Sequence, residues 1–172
     1  NPDAEVDSEA IKNFFIAAKK KPDFAIISPS IQDSKKKNSF LEIEKGIHEV
    51  KSVKGFAMFL NLKQFDEIGF FDENFFIYFE EIDLCKRLIK NNKKIYLDTN
   101  IKIKHLGGTS HEDYINVEME KSRNWHWMWS SFYFHNKYDG YVKAIIKILP
   151  KFFSAMLKTI FYKIISNFNN LS

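Results

Sequence analysis

The stretch from Phe70 to Leu88, FFDENFFIYFEEIDLCKRL, constrains this chain more than any other. Three carboxylates, Glu80, Glu81 and Asp83, follow a run that carries Phe70, Phe71, Phe75, Phe76, Tyr78 and Phe79. Aromatics at that density belong in a core. Acids that abut a core are costly to desolvate unless a cation, a donor or a proton compensates them, and such a place can hold a general base. From Ile82 onward, Ile82, Leu84, Cys85, Leu88 and Ile89 recur at helical spacing, with Lys86, Arg87 and Lys90 outward. The stretch predicts an acidic turn that opens a helix, where carboxylates also favour the positive end of the helix dipole.

A chain of 172 residues, 45% apolar and with 18 Phe, is long enough for one packed domain or the larger part of one. The single Cys85 excludes an intrachain disulfide framework and fits a reducing compartment. The polar, acidic opening NPDAEVDSEA does not read as a signal peptide. No run of 18 uncharged apolar residues predicts an ordinary transmembrane helix. Asn1-Pro2-Asp3 reads as a turn that should follow a strand, so the expectation is a chain that starts inside a larger domain.

Asp7 to Lys20 predicts a helix with Ile11, Phe14, Phe15 and Ala18 on one side and Asp7 or Ser8 as its cap. Phe24 to Ser28 is a buried strand, and Ile31 to Glu49 an exposed loop or hairpin. Val50 to Leu62 tends towards a strand, and Leu62 to Ile68 is a short helix closed by Gly69. Ile95 to Leu97 and Ile101 to His105 are two further strand candidates. Asn116 to Tyr138 is a long aromatic helix, followed after Gly140 by an apolar, lysine-bearing segment interrupted at Pro150. Helices between short strands make this an α/β chain.

Four segments in order carry a resemblance: Gly55 to Leu60 (GFAMFL), Ile68 to Glu73 (IGFFDE), Tyr78 to Leu88 (YFEEIDLCKRL) and His105 to Ser110 (HLGGTS). Together they resemble the second half of family 2 glycosyltransferases, most closely the rhamnosyltransferase-like branch, over residues 1 to about 138. The resemblance implies a GT-A-like nucleotide-diphospho-sugar transferase fold, represented by its acceptor-side half over residues 1–140, with a helical tail at 141–172. It implies an inverting transfer from a nucleotide-diphospho-sugar to a hydroxyl of a glycan or lipid-linked acceptor, in cell-surface polysaccharide synthesis. The isolated chain would then be an incomplete enzyme.

Residue by residue, the resemblance puts Asp3 of Asn1-Pro2-Asp3 in the place of the last acid of a DxD-type motif, with Asn where the family has its first Asp. Asp3 and His105 would then hold a divalent metal, Mg²⁺ or Mn²⁺. Glu80 and Glu81 occupy the place of a Glu-Asp pair whose second member is the catalytic base, here Glu81. Asp83 and Arg87 match the remainder of that motif and would tie the helix to its surroundings, with Asp83 also a substrate-binding candidate. Gly55 is a candidate acceptor-facing strand end, or simply a close backbone turn. In RNWHWMW, Trp125, Trp127 and Trp129 cannot all share one narrow helical face. One side would pack while Trp125 helps line an acceptor groove and Arg123 reaches the diphosphate. His111 reads as a loop residue and Lys121 as a surface one.

The last 32 residues, from Tyr141 to Ser172, hold five lysines and no acid. Lys143, Lys147, Lys151 and Lys158 fall on one helical side of an otherwise apolar segment, a pattern suited to an anionic membrane surface. The expected location is cytoplasmic, peripheral to the inner face of the cell membrane. Nucleic acid is not an expected partner, because Lys35 to Lys37 is too brief a run. The alternative is a non-catalytic membrane-peripheral binding or scaffold protein derived from a transferase.

Overall fold

The computed structural model describes residues 4–32, 44–105 and 116–169. Those residues form a mixed α/β arrangement that divides into two compact units. The first unit holds the sheet and runs to Glu73, resuming over Glu80–Asn116; the second comprises Asn74–Phe79 and the chain from Val117.

The sheet unit opens with β1 (Ala4–Glu5), α1 (Ser8–Lys20) and β2 (Phe24–Gln32). It continues through β3 (Ile47–Glu49), β4 (Phe59–Leu60), a 3₁₀ turn at Leu62–Gln64, α2 (Glu80–Lys90) and β5 (Lys94–His105). The strand order is β1-β5-β2-β4, with β3 also on β5. Among the described residues only β2 and β5 run parallel; β1 and β3 lie antiparallel to β5, and β4 antiparallel to β2. Ala25, Ile26, Ile27 and Ile95 are fully buried, as strands covered on both faces must be.

α1 covers one face and α2 the other. Asp7 caps α1 as its sequence predicts, its Oδ1 accepting from the Ala10 backbone N–H at 2.7 Å. The face that packs differs from the expected one. Ala10, Phe14 and Ala17 are buried with Phe24, Ile27, Tyr96 and Ile103, whereas Ile11 and Phe15 are about half exposed. Two alanines bring the helix close to the sheet, and Phe14 fills the space between them, stacking on Phe59 at 5.4 Å. On the opposite face, Leu84, Cys85 and Leu88 of α2 pack on Ala25, Ile26, Ile95, Val53 and Phe65. Burying each leucine contributes roughly 1.5–3 kcal/mol.

Other expectations change as well, and the stretch read as a loop or hairpin over Ile31–Glu49 holds the end of β2 and, at Ile47–Glu49, the strand β3 on β5. The two strand candidates after residue 94 are one strand, β5, broken in register between Asp98 and Lys102 against β2. There Asp98 Oδ1 accepts from the backbone and side-chain nitrogens of Asn100 at 2.9 and 2.8 Å, which turns the chain locally without ending the strand. The strand expected over Val50–Leu62 is reduced to β4, because the chain leaves the edge of β5 after Val50 and buries Val53 against α2. The helix expected over Leu62–Ile68 is a 3₁₀ turn followed by the Phe65–Gly69 turn, whose Gly69 has φ 74°.

The second unit holds α3 (Asn116–Asp139) and α4 (Tyr141–Asn169), joined at Gly140 with φ 88°. Here Pro150 lies inside α4 and does not interrupt it. Ile146, whose carbonyl the proline nitrogen cannot bond, is exposed, so water can take that oxygen. Within this unit Asn74–Phe79 lies along α3. Ser130 Oγ donates to the Ile77 carbonyl at 2.8 Å, and Phe75 meets Tyr133 edge-on at 4.9 Å.

Candidate active site

Glu80 and Glu81 begin α2, and the chain enters that helix in an unusual way. Tyr78 and Phe79 both have φ 69°, the left-handed region that costs a non-glycine residue about 1–2 kcal/mol. Phe79, immediately before the helix, has no side-chain oxygen with which to cap it. The first turn of α2 is therefore placed by contacts elsewhere.

One contact is with the loop before β4. A Cβ on Gly55 would stand 3.5 Å from Glu81 Cβ and 3.7 Å from its Cγ, ordinary contact distances, so the glutamate packs directly on this part of the loop. The loop is anchored where Val53 joins the α2 core and where Ser28 Oγ donates to the Ala57 carbonyl at 3.2 Å.

Glu80 and Glu81 are half-buried, and each has one oxygen, Oε2, buried without a hydrogen-bond partner among the described residues. Burial raises the Glu81 carboxyl above the ordinary glutamate range, with the charge of Glu80 adding to it. The backbone N–H groups of Glu81 and Ile82, and Lys54, pull the other way. A carboxyl raised in this manner takes a proton more readily at neutral pH than an exposed glutamate does. One turn on, burial also raises the thiol of Cys85, which packs as a small apolar residue.

Asp83 is fully buried. Its Oδ2 accepts from Arg87 Nε at 2.8 Å, so its charge is compensated inside the protein. Arg87, expected to point outward, instead turns back along the helix with only 18% of its side chain exposed. Its Nη1 donates to the carbonyls of Ile68 and Gly69 at 2.8 and 3.1 Å, and its Nη2 to that of Phe70. This arrangement suits the tie between helix and surroundings that the resemblance implies.

The sheet unit thus places Gly55 against Glu81, with Glu80 next to it in sequence, while Asp83 turns into the protein towards Arg87. His105 is the last residue of β5, and its backbone pairs with Ala4 of β1. Its side chain, Asp3 and His111 lie outside the described residues, although Asp3 immediately precedes Ala4 in sequence. Among the described residues no group of three His, Cys, Asp or Glu could hold a metal. A polar cleft of about 410 Å³ lies elsewhere, between α1 and the break in β5, lined by Asp7, Asn13, Lys45, Thr99, Asn100 and Lys102.

Arg123 and Trp125 belong to α3, in the other unit. Arg123 is half-buried and Trp125 is 64% exposed. The three tryptophans divide as their spacing requires. Trp125 and Trp129 are exposed, while Trp127 meets Phe79 edge-on at 6.0 Å and carries Lys151 Nζ 3.4 Å from its ring centroid.

α4 exposes a row of apolar residues at helical spacing, Val142, Ile146, Leu149, Phe153, Leu157 and Ile160. Of the four lysines on one side of it, two are engaged within the unit. Lys147 reaches Asp139 at 3.1 Å and Lys151 lies over Trp127, while Lys143 and Lys158 are exposed. Among the described residues no helix is long and apolar enough to cross a membrane.

No family model matches the chain, and no solved structure gives a significant match. A curated relative, the low-salt glycan biosynthesis hexosyltransferase Agl10 of Haloferax volcanii, is 29% identical over 114 residues. That match covers 55% of this chain and 37% of the relative, so the chain spans little more than a third of the length of the protein it matches. Over part of its length, this chain is a distant relative of a hexosyltransferase.

Proposed function

We propose that the protein is a GT-A-like family 2 glycosyltransferase that transfers a sugar from a nucleotide-diphospho-sugar to a hydroxyl of a glycan or lipid-linked acceptor, with inversion and in one displacement. The observation that carries this reading is the Glu81 carboxyl, half-buried against Gly55 with one oxygen unpartnered and its proton affinity raised. Glu81 takes the proton of the acceptor hydroxyl. The acceptor oxygen forms its bond to the anomeric carbon as the bond to the diphosphate breaks, and the electron pair leaves with the phosphate. Glu80 beside it keeps the proton affinity high.

The β1–β5 pairing supports a metal role for Asp3 and His105, since the chain neighbour of Asp3 is the backbone partner of His105. A carboxylate and an imidazole suit Mn²⁺ or Mg²⁺, and phosphate oxygens of the donor would complete the set. The ion would supply positive charge to the leaving diphosphate. Arg123 is assigned to the diphosphate and the exposed face of Trp125 to the acceptor. The apolar row of α4, with Lys143 and Lys158, rests on the anionic inner surface of the cell membrane, within reach of lipid-linked acceptors.

Calorimetric titration with UDP- and dTDP-sugars in the presence of Mn²⁺ tests donor binding. Turnover by the parent and by Glu81→Gln tests the base. In the full-length protein, saturable donor binding together with loss of turnover in Glu81→Gln is the expected result. A second reading, a membrane-peripheral scaffold without catalysis, draws on the same exposed row of α4. It predicts vesicle binding without donor binding or turnover.

A further inference from the structure

We infer that Arg87 is a positioning residue for the Glu80–Glu81 pair, fixing the first turn of α2 by tying its Asp83 to the turn at Ile68–Phe70. The inference rests on the proposed role of Glu81 and deepens it. Asp83 stands in the same first turn of α2 as Glu80 and Glu81. The guanidinium of Arg87 holds the three successive carbonyls of Ile68, Gly69 and Phe70 while its Nε holds Asp83. Those carbonyls converge on one group because Gly69 takes φ 74°. Phe65, 1% exposed, stacks on Phe70 at 5.1 Å and supports the same turn from the core.

Phe79, immediately before α2, offers no side-chain oxygen to cap its first turn, and the Asp83–Arg87 tie holds that turn within the sheet unit. With the tie released, the first turn of α2 is free to fray, and its two carboxylates gain water. Lysine cannot substitute for this arginine. Its ammonium is a point charge on a flexible stem, whereas the planar fork directs several donors at once.

Arg87→Lys in the full chain tests this, since it keeps the charge and removes the fork. The readouts are the titration midpoint of the Glu81 carboxyl, followed by ¹³C NMR and assigned with Glu81→Gln, and the separate kcat and KM for donor. The expected result is a Glu81 midpoint that falls towards the ordinary glutamate value, with kcat down roughly tenfold or more and KM little changed. A folded Arg87→Lys protein with the parent midpoint overturns the inference. Should that variant fail to fold, Gly69→Ala carries the same readouts and the same two outcomes. Its added methyl meets nothing within 4 Å, so it acts only by straining the turn that gathers the carbonyls. A parent protein without turnover would sink the proposed activity and leave the titration to decide the clamp.

Discussion

Gly55 stands where any side chain would meet Glu81, its missing Cβ lying 3.5 Å from Glu81 Cβ and 3.9 Å from the carboxyl carbon. Those are ordinary contact distances, so one methyl fits and a larger group does not. Gly55→Ala should keep its activity within a few-fold. Gly55→Leu should displace the glutamate and cost roughly a hundredfold in turnover, with thermal unfolding showing the fold retained. Equal activities for the two variants would remove the packing role.

Stability should depend on pH through Glu81. Its carboxyl is raised in the folded state, chiefly by burial, so ionising it costs the folded protein more than the unfolded chain. That cost is absent below the ordinary glutamate pKa. It grows as the pH rises from there through the folded-state value, and is constant above it. Glu81→Gln should therefore melt higher than the parent at pH 7–8, with the difference vanishing near pH 4. Melting curves across that range check it, and a variant less stable at neutral pH would contradict the burial argument.

The end of α2 offers a separate test. Asn92 has φ 55°, its N–H donates to the Ile89 carbonyl, and the next N–H, of Lys93, donates to that of Leu88. This is a Schellman ending, where glycine or asparagine is favoured. Asn92→Gly should preserve or raise stability, whereas Asn92→Val should lower it by about 1–2 kcal/mol in denaturant unfolding.

The exposed row of α4 should govern membrane association. Phe153→Glu, placed among Leu149, Leu157 and Ile160, should weaken sedimentation with anionic vesicles by roughly tenfold or more. Lys147→Gln should matter less, because that lysine already bonds Asp139. Unchanged vesicle binding by Phe153→Glu would contradict the membrane role.

Much of this architecture is legible in the sequence where a local signal and the tertiary fold agree. Asp7 caps α1, Phe24 begins a buried strand, and the acidic turn opens α2. The misreadings have tertiary causes. Ile11 and Phe15 look like core residues, yet the sheet accepts the narrower face of Ala10, Phe14 and Ala17. Asp98 and Asn100 look like the end of a strand, yet a side-chain hydrogen bond lets β5 continue beyond them. Arg87 sits at an outward-looking helical position, and the carbonyls of a loop 17 to 19 residues away in sequence, with buried Asp83, draw it inward. At the candidate site, the acids are conspicuous in the sequence, although the aromatics before them are not the core they suggest: Phe75 is buried while Phe70, Phe71 and Phe76 are exposed. The intimate approach of Gly55 to Glu81 is not conspicuous, because nothing local brings residues 26 positions apart into contact.

The central claim is that Glu81 accepts the proton of the attacking hydroxyl. Single-turnover transfer from a bound nucleotide-sugar, compared between the parent and Glu81→Gln at matched donor occupancy, measures that step alone. A loss of roughly 10²–10⁴-fold in the transfer rate, with donor affinity retained, is the expected result. Transfer by Glu81→Gln at the parent rate would contradict it.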